Sequence, residues 1–492
     1  MKQYDLIVIG TGSAMNIVDA MIQQNPKIRV AVIDKDEPGG ICLTRGCIPS
    51  KILLYPAELV RTIERSAELN VHAEIKKVDF EKVMDRMRSL IGREIDQIRQ
   101  GLSSSENIDY YRDVAEFVSP YTMKVGREII TAKMIFLCTG SRAIIPPIKG
   151  LDNIEYLTSD TLLKLKQLPE SVAIVGGGYI AAEYGHFLSS MGSNVTIIGR
   201  NPQFLPDEEP EISELAMEEL GKHMRIFTNL EVKEVKQESG KSGNKIKEDK
   251  RGKIVIVAED KKTGQSKRFE AEKLLIATGR GPTNDILHPE KGGVRLDKDG
   301  WILVDEYLQT SQPNVWALGD ADGKFLFKHV ANYESQVLYY NAVLGKKVKA
   351  DYHAIPHAVF TYPEIAAVGM KEKQAVEEFG KEGVLIGYYK YEDTAKGEAM
   401  ALSRYFVKAI LKHDSLKILG AHVIGPYASI IIQEIINVMY TPEQSGWVVN
   451  DAIHIHPSLS EVVQRAFQSP MTVDQYHEML DHERKHRISK AI

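Results

Sequence analysis

The sequence predicts an α/β protein made of two Rossmann-like units and a C-terminal α+β unit. Three observations carry that prediction. A strand, glycine loop, helix and second strand occupy residues 4–34, the same grammar returns at 171–198, and after about residue 355 the pattern changes to alternating strand segments followed by an amphipathic helix. With 492 residues the chain has room for roughly three domains of ~150 residues each.

Residues 4–9 (YDLIVI) form a short apolar run, the signature of a buried strand, and the following GTGSAMN leads into a helical pattern through Ala20 and Met21. A second strand, RVAVID at 29–34, ends in Asp34, 24 positions after Gly10. Gly10 and Gly12 let the backbone approach a pyrophosphate closely, Ser13 continues the ladder of N–H donors at the helix N-terminus, and Asp34 can accept from ribose hydroxyls. Met15 stands where a small third residue is usual, a departure from the fingerprint.

The second pattern, SVAIVGGGYIAAEYGHFLSSMGSNVTII, carries Gly176, Gly178 and Tyr179 in its loop and keeps the small residue as Ala181. Two such patterns imply two dinucleotides. The second strand here ends in Arg200 rather than an acid; a guanidinium pairs with a 2′-phosphate, so the expectation is NADPH, with NADH as the alternative. Two further apolar strands, 134–140 and 274–279, end in Thr-Gly at Gly140 and Gly279, and each closes one nucleotide-binding sheet.

The expected organisation is a first dinucleotide unit at 1–152, a second at 153–284, a segment at 285–352 that completes the first unit, a C-terminal unit at 353–471, and a charged helical tail at 472–492. Within the second unit, ESGKSGNKIKEDKRGK at 238–253 has no apolar period and reads as an exposed hairpin tip. The tail has Val473, Tyr476, Met479 and Leu480 at helical spacing and reads as a surface helix with no legible partner.

The net charge is −5, and no stretch combines dense Lys and Arg with interleaved aromatics, which argues against nucleic acid as a partner. No window of 18 apolar residues occurs and MKQYDLIVIG enters a strand directly, so a cytoplasmic protein without membrane attachment is expected. Three cysteines cannot form a disulfide framework. Cys138, inside an apolar strand, reads as an inert core thiol.

Cys42 and Cys47 lie in GGICLTRGCIPSK at 39–51. On an ideal helix, residues five apart rise about 7.5 Å and point to different faces, so a bridge between them requires a distorted backbone, which Gly46 and Pro49 permit. A short-loop disulfide in a cytosolic chain is catalytic more often than structural. Two unpaired thiols are the plain alternative; zinc lacks a second cysteine pair, and no metal is expected.

At this point GGICLTRGCIPSK resembles the redox-active stretch of the class I pyridine nucleotide–disulfide oxidoreductases, the flavoprotein family of dihydrolipoamide dehydrogenase and the glutathione, mycothione and mercuric reductases. CTGSRAIIPP at 138–147, IATGRGPTN at 276–284, VWALGDAD at 315–322 and IHIHPSLSEVV at 453–463 follow in the family's order, and the resemblance covers about residues 3–470. It implies FAD on the first loop, with Asp34 on the adenosine ribose and Asp320 on the ribityl or pyrophosphate region. It implies Cys47 as the flavin-facing sulfur, Cys42 as the sulfur that exchanges with substrate, Lys51 and Glu183 as an ion pair beside the flavin, and Tyr179 as the gate that yields to nicotinamide. His456 and Glu461 resemble the family's base and its orienting carboxylate, a pair suited to proton transfer near neutral pH. The resemblance further implies a homodimer in which His456 reaches the cysteines of the other subunit.

Within the family, the chain ends RKHRISKAI without the vicinal cysteines of mercuric reductases. TSDT at 158–161, IAAE at 180–183, KHVANYE at 328–334, AVFTYPEIAAVG at 358–369 and Arg200 resemble mycothione reductases, so the expectation is an NADPH-driven reductase of a small disulfide. Thr44-Arg45 departs from the usual Asn-Val, and NAD-dependent oxidation of dihydrolipoamide is the competing expectation.

Overall fold

Four chain segments of the first sheet end at one edge, and that edge organises the molecule. The structure, a computed structural model, describes residues 1–238 and 252–491, with side chains of the last helix through 486. In the first sheet the strands run in the order Ile108–Tyr111, Val30–Ile33, Lys2–Ile9, Glu128–Leu137, Thr122–Val125, Ala115–Ser119, and Val315–Ala317 also pairs with Glu128–Leu137. The pairings among Ile108–Tyr111, Val30–Ile33, Lys2–Ile9, Glu128–Leu137 and Val315–Ala317 are all parallel, and residues 30–33 are buried throughout, as strands covered on both faces must be. Ile9 registers with Ile33 and Leu137, and Leu137 with Ala317. Gly10, Asp34, Cys138 and Leu318 therefore emerge side by side at the carboxyl ends of the strands, where such sheets bind ligands.

The second sheet repeats this with four parallel strands in the order Arg225–Phe227, Asn194–Ile198, Ser171–Val175, Lys273–Ile276. An antiparallel sheet of Leu230–Glu238, Lys253–Asp260 and Ser266–Ala271 packs against it, and a short pairing of Ser141–Ala143 with Arg280–Pro282 ties the two units together. The hairpin tip expected at 238–253 falls largely on residues 239–251, outside the described residues.

The C-terminal unit is a six-stranded antiparallel sheet in the order Pro356–Val359, Ile365–Gly369, Ile418–Ile424, Phe406–Lys412, Val384–Lys390, Met471–Thr472, with the apolar helix Ala428–Met439 against it. The last helix, Val473–Ala491, has the partner that its sequence left unreadable. Val473, Tyr476 and Leu480 are buried in a cluster with Ile386, Ile410 and Leu419, so one face of the helix belongs to the core of this unit. Tyr476 donates to Glu211 of the helix Pro210–Gly221, at 3.0 Å, and carries the contact across to the second unit. Among the described residues, no helix is long and apolar enough to cross a membrane.

Candidate active site

Gly10 has φ +102°, and a Cβ there would lie 2.2 Å from the Cys138 carbonyl oxygen, so the turn out of the first strand accepts only glycine. Gly40, φ +69°, presses against the Gly12 Cα in the same way and seats the cysteine segment on the loop. Among the described residues, the N–H groups of Gly12 and Ser13 have no acceptor, and they stand at the N-terminus of the helix Met15–Gln24. Asp34 accepts from the Thr11 N–H at 3.0 Å and from its hydroxyl at 2.6 Å, which fixes the carboxylate at the strand end.

Gly46 breaks the cysteine segment into two helices, Gly40–Arg45 and Cys47–Arg65, with φ −128° and ψ −116°. That break is the distortion the spacing of the cysteines requires. Cys42 and Cys47 lie together as free thiols, with the Cys42 thiol hydrogen-bonded to the Cys47 sulfur. This bond, the Lys51 ammonium and the local backbone hold the Cys47 thiol down at about 7 against the cost of burial and the nearby Asp320. The Cys42 thiol is pushed far up by donating that bond, by burial and by the neighbouring charge on Cys47. In a dithiol so arranged, Cys47 is the more acidic of the two sulfurs.

Lys51 follows Cys47 by one helical turn and donates to both oxygens of Glu183 at 2.9 Å, while its ammonium lies 4.5 Å from the centre of the Phe360 ring. Glu183 is buried and accepts also from the Phe360 N–H at 3.1 Å. Tyr179, in the first turn of the helix Tyr179–Met191, has its phenol pushed up to about 12 by burial. Asp320 accepts from Ser141, whose hydroxyl in turn accepts from Arg280 Nε at 2.8 Å; burial raises the Asp320 carboxyl above its usual range.

Gly10, Gly12, Ser13, Asp34, Cys42, Cys47, Lys51, Gly140, Tyr179, Glu183 and Asp320 all line one cavity of about 1490 Å³. Backbone N–H groups at a helix start without an acceptor among the described residues, the Asp34 carboxylate fixed at the end of the second strand, and a cavity that takes in both together with Cys42 and Cys47 form a donor set that fits a flavin dinucleotide. Cys138 lines this cavity while packing against the buried cluster of the first unit, and burial pushes its thiol up.

The glycines of the second loop do not line the cavity, whereas Tyr179, which follows them, does. Gly176, φ +137°, would place a Cβ 2.1 Å from the Ala277 carbonyl oxygen, while Gly178 has nothing within 4 Å, so the loop is held from below and open above. Among the described residues, the N–H groups of Gly177 and Gly178 have no acceptor. Ala181 is fully buried under the helix, and Gly279, φ +113°, ends the neighbouring strand. Arg200 is exposed at the end of the strand Asn194–Ile198 and takes part in no ion pair of Asp or Glu among the described residues.

His456 Nδ1 lies 3.0 and 3.2 Å from the two oxygens of Glu461, which also accepts from the Ser458 N–H at 3.1 Å. These bonds, that from His456 first, hold the Glu461 carboxyl below its usual range. The His456 side chain is 71% exposed, and the pair does not meet Cys42 or Cys47 within one chain. Beside it in the chain, Ile453 and Ile455 are exposed, and exposed Tyr427, Ile430, Tyr440 and Trp447 lie in the same C-terminal unit. His454, two residues earlier, is held by Glu434 at 2.5 Å.

Sequence reasoning missed Thr11, Arg280 and Lys328. Lys328 opens the helix Lys328–Leu338, lines the cavity and donates to Ser13 Oγ at 2.8 Å. No local pattern announces a contact across 315 positions of chain.

Residues 4–337 match the family model described as pyridine nucleotide-disulphide oxidoreductase, and residues 355–467 match its dimerisation domain. Mycothione reductase of Mycobacterium tuberculosis is 35% identical over 483 residues, covering 95% of this chain and 99% of that protein. Dihydrolipoyl dehydrogenase of Synechocystis is 32% identical over 485 residues, covering 94% and 98%. Among solved structures, the Cu(II) complex of the HOCl-induced flavoprotein disulfide reductase RclA from Escherichia coli superposes with a TM-score of 0.82 at 26% identity, covering 95% of this chain and 99% of that one.

Proposed function

This chain belongs to the pyridine nucleotide-disulphide oxidoreductases, enzymes that act on sulfur groups with FAD and NAD(P)H, and from that premise we propose that it is an NADPH-driven reductase of a low-molecular-weight disulfide. The observation that supports this most is the placing of Cys42 and Cys47 together in the wall of the cofactor cavity, with an exposed Arg200 at the second loop that forms no ion pair among the described residues. Mycothione reductase among the relatives supports the same reading.

In this reading Gly10, Gly12, Ser13, Asp34, Gly140 and Asp320 hold FAD, and Gly176, Gly178, Ala181, Gly279 and Arg200 hold the nicotinamide nucleotide, with Tyr179 between them. When bound, FAD supplies the electron pair that opens the Cys42–Cys47 bond. The chain's own residues do the rest. Lys51, fixed by Glu183, stabilises negative charge beside Cys47. Cys42, as thiolate, attacks one sulfur of the substrate disulfide, and the other leaves with a proton from His456 of the partner subunit, which Glu461 orients. Cys47 then attacks Cys42 in the mixed disulfide, the second thiol leaves, and the Cys42–Cys47 bond is restored. Two electrons and two protons enter, and two thiols depart.

The dimerisation-domain match supports a homodimer, and the apolar surface bearing His456 supports a site completed across it. We place the protein in the cytoplasm on the same reading. Dihydrolipoamide oxidation with NAD is the second reading, favoured by the dihydrolipoyl dehydrogenase relatives.

Anaerobic stopped-flow reduction by NADPH and by NADH, followed by small disulfides as oxidants, tests the proposal. The expected result is a higher rate over affinity with NADPH and turnover that Cys42→Ser abolishes while its flavin still reduces. A preference for NADH would hand the assignment to dihydrolipoamide oxidation.

A further inference from the structure

We propose that Arg45 is a positioning residue of the redox couple, a clamp that ties the end of the helix Gly40–Arg45 to both nucleotide units and so holds Cys42 and Cys47 in bonding range. The inference rests on the disulfide-reductase reading above, and it concerns Thr44-Arg45, where this chain departs from the family's usual Asn-Val. The helix Gly40–Arg45 needs such a hold. It has six residues, too few to be stable alone, and none of them is fully buried, so packing fixes it only weakly.

The hold it has is polar. Arg45 Nη2 donates to Asp36 Oδ2 at 2.8 Å, Nε lies 3.3 Å from Asp160 Oδ2, and Nη1 donates to Thr44 Oγ1 at 3.3 Å. Thr44 donates in turn to the Gly40 carbonyl at 2.9 Å, one turn back. The two carboxylates belong to different units. Asp36 follows the strand Val30–Ile33, and its N–H donates to Asp34 at 3.0 Å. Asp160 lies in the helix Ser159–Leu162, shortly after Leu157, whose N–H donates to the Leu274 carbonyl at 2.7 Å and whose carbonyl accepts from Ile276 at 2.8 Å, both in the second sheet. A planar guanidinium donates in several directions at once; the valine usual in the family donates in none. Arg45 immediately precedes Gly46, where a Cβ would lie 3.4 Å from the Cys42 Cα, so a shift of residue 45 passes to both cysteines. Two thiols kept in one geometry close to a disulfide more readily than two whose spacing varies.

The test places the FAD-loaded enzyme in buffers of reduced and oxidised dithiothreitol, quenches it by rapid alkylation, and scores the Cys42–Cys47 bond by peptide mass spectrometry with Cys138 as the reference thiol. In this exchange the dithiothreitol disulfide forms as the Cys42–Cys47 bond breaks, and two hydrogens cross with the electron pair. Arg45→Met is expected to shift the equilibrium about five- to tenfold toward the dithiol, and Asp160→Asn about two- to threefold in the same direction. Arg45→Lys, which keeps the charge and loses the fork, is expected to fall between the parent and Arg45→Met. Asp160→Asn is expected to add nothing once Arg45 is Met. The shared direction is decisive. Charge alone would move the equilibrium oppositely on losing a cation and on losing an anion, so opposite shifts overturn the proposal. An unmoved equilibrium also overturns it, as does loss of FAD from Arg45→Met, since the guanidinium would then serve the cofactor. Asp160→Asn carries the test if Arg45→Met fails to fold. A pair that stays dithiol at every buffer ratio would instead sink the disulfide-reductase reading and take the proposal with it.

Discussion

The two glycine loops are built from the same parts and end in opposite settings. The first is anchored: Gly10 and Gly40 are locked by backbone contacts, Asp34 is held by Thr11, and the loop lines a cavity of about 1490 Å³ that also reaches the cysteine pair. The second is open: Gly178 has no neighbour within 4 Å, and Arg200 is exposed and forms no ion pair among the described residues. On the proposed reading, one βαβ design serves two tasks, holding one dinucleotide through many turnovers and admitting another for each. The anchoring of the strand-end residue, more than the glycines, marks which task each unit has.

Removing His456 separates the two halves of the reaction most sharply. His456→Ala is expected to lower disulfide turnover by roughly 10²- to 10⁴-fold while NADPH still reduces the flavin at the unmodified rate, measured by steady-state and stopped-flow absorbance. Equal losses in both steps would deny that the histidine acts only at the sulfur end. Arg200→Ala touches the open loop alone. A lost charge-assisted contact to a 2′-phosphate should cut kcat/KM for NADPH by about ten- to a hundredfold and leave NADH nearly unchanged. Parallel losses with both nucleotides would show that the guanidinium does not read the phosphate.

The smallest effect concerns the cysteine pair. Because the Cys47 thiol is held down at about 7, the thiolate is present above that pH and lost as pH falls through it. Alkylation of Cys47 in the reduced enzyme should therefore rise with a midpoint near 7, and Lys51→Met should move the midpoint upward. A midpoint at the ordinary thiol value in the intact enzyme would mean that Cys42 and Lys51 do not stabilise that sulfur.

The strand, loop and helix of each unit were legible because parallel buried strands read as continuous apolar runs and a dinucleotide turn requires glycine at fixed offsets, as at Gly10 and Gly176. The cysteine spacing announced a distorted backbone, and Gly46 supplies it. What the sequence hid are contacts made across long chain separations. Thr11 onto Asp34 and Lys328 onto Ser13 arise only when strand ends converge, and neither has a local periodicity. The partner of the tail helix was hidden for the same reason: its apolar face is short, and Ile386, Ile410 and Leu419 lie on three separate strands of the C-terminal sheet.

The most direct test of the account is complementation between two inactive subunits. Cys42→Ser and His456→Ala chains, each purified as inactive protein, are mixed, dissociated and reassociated, and disulfide turnover is measured per heterodimer. If the site is completed across the dimer, each heterodimer has one intact Cys42–Cys47–His456 set and recovers about half of the normal activity. Heterodimers that form and stay inactive would contradict the account, because the histidine would then serve the cysteines of its own chain or none at all.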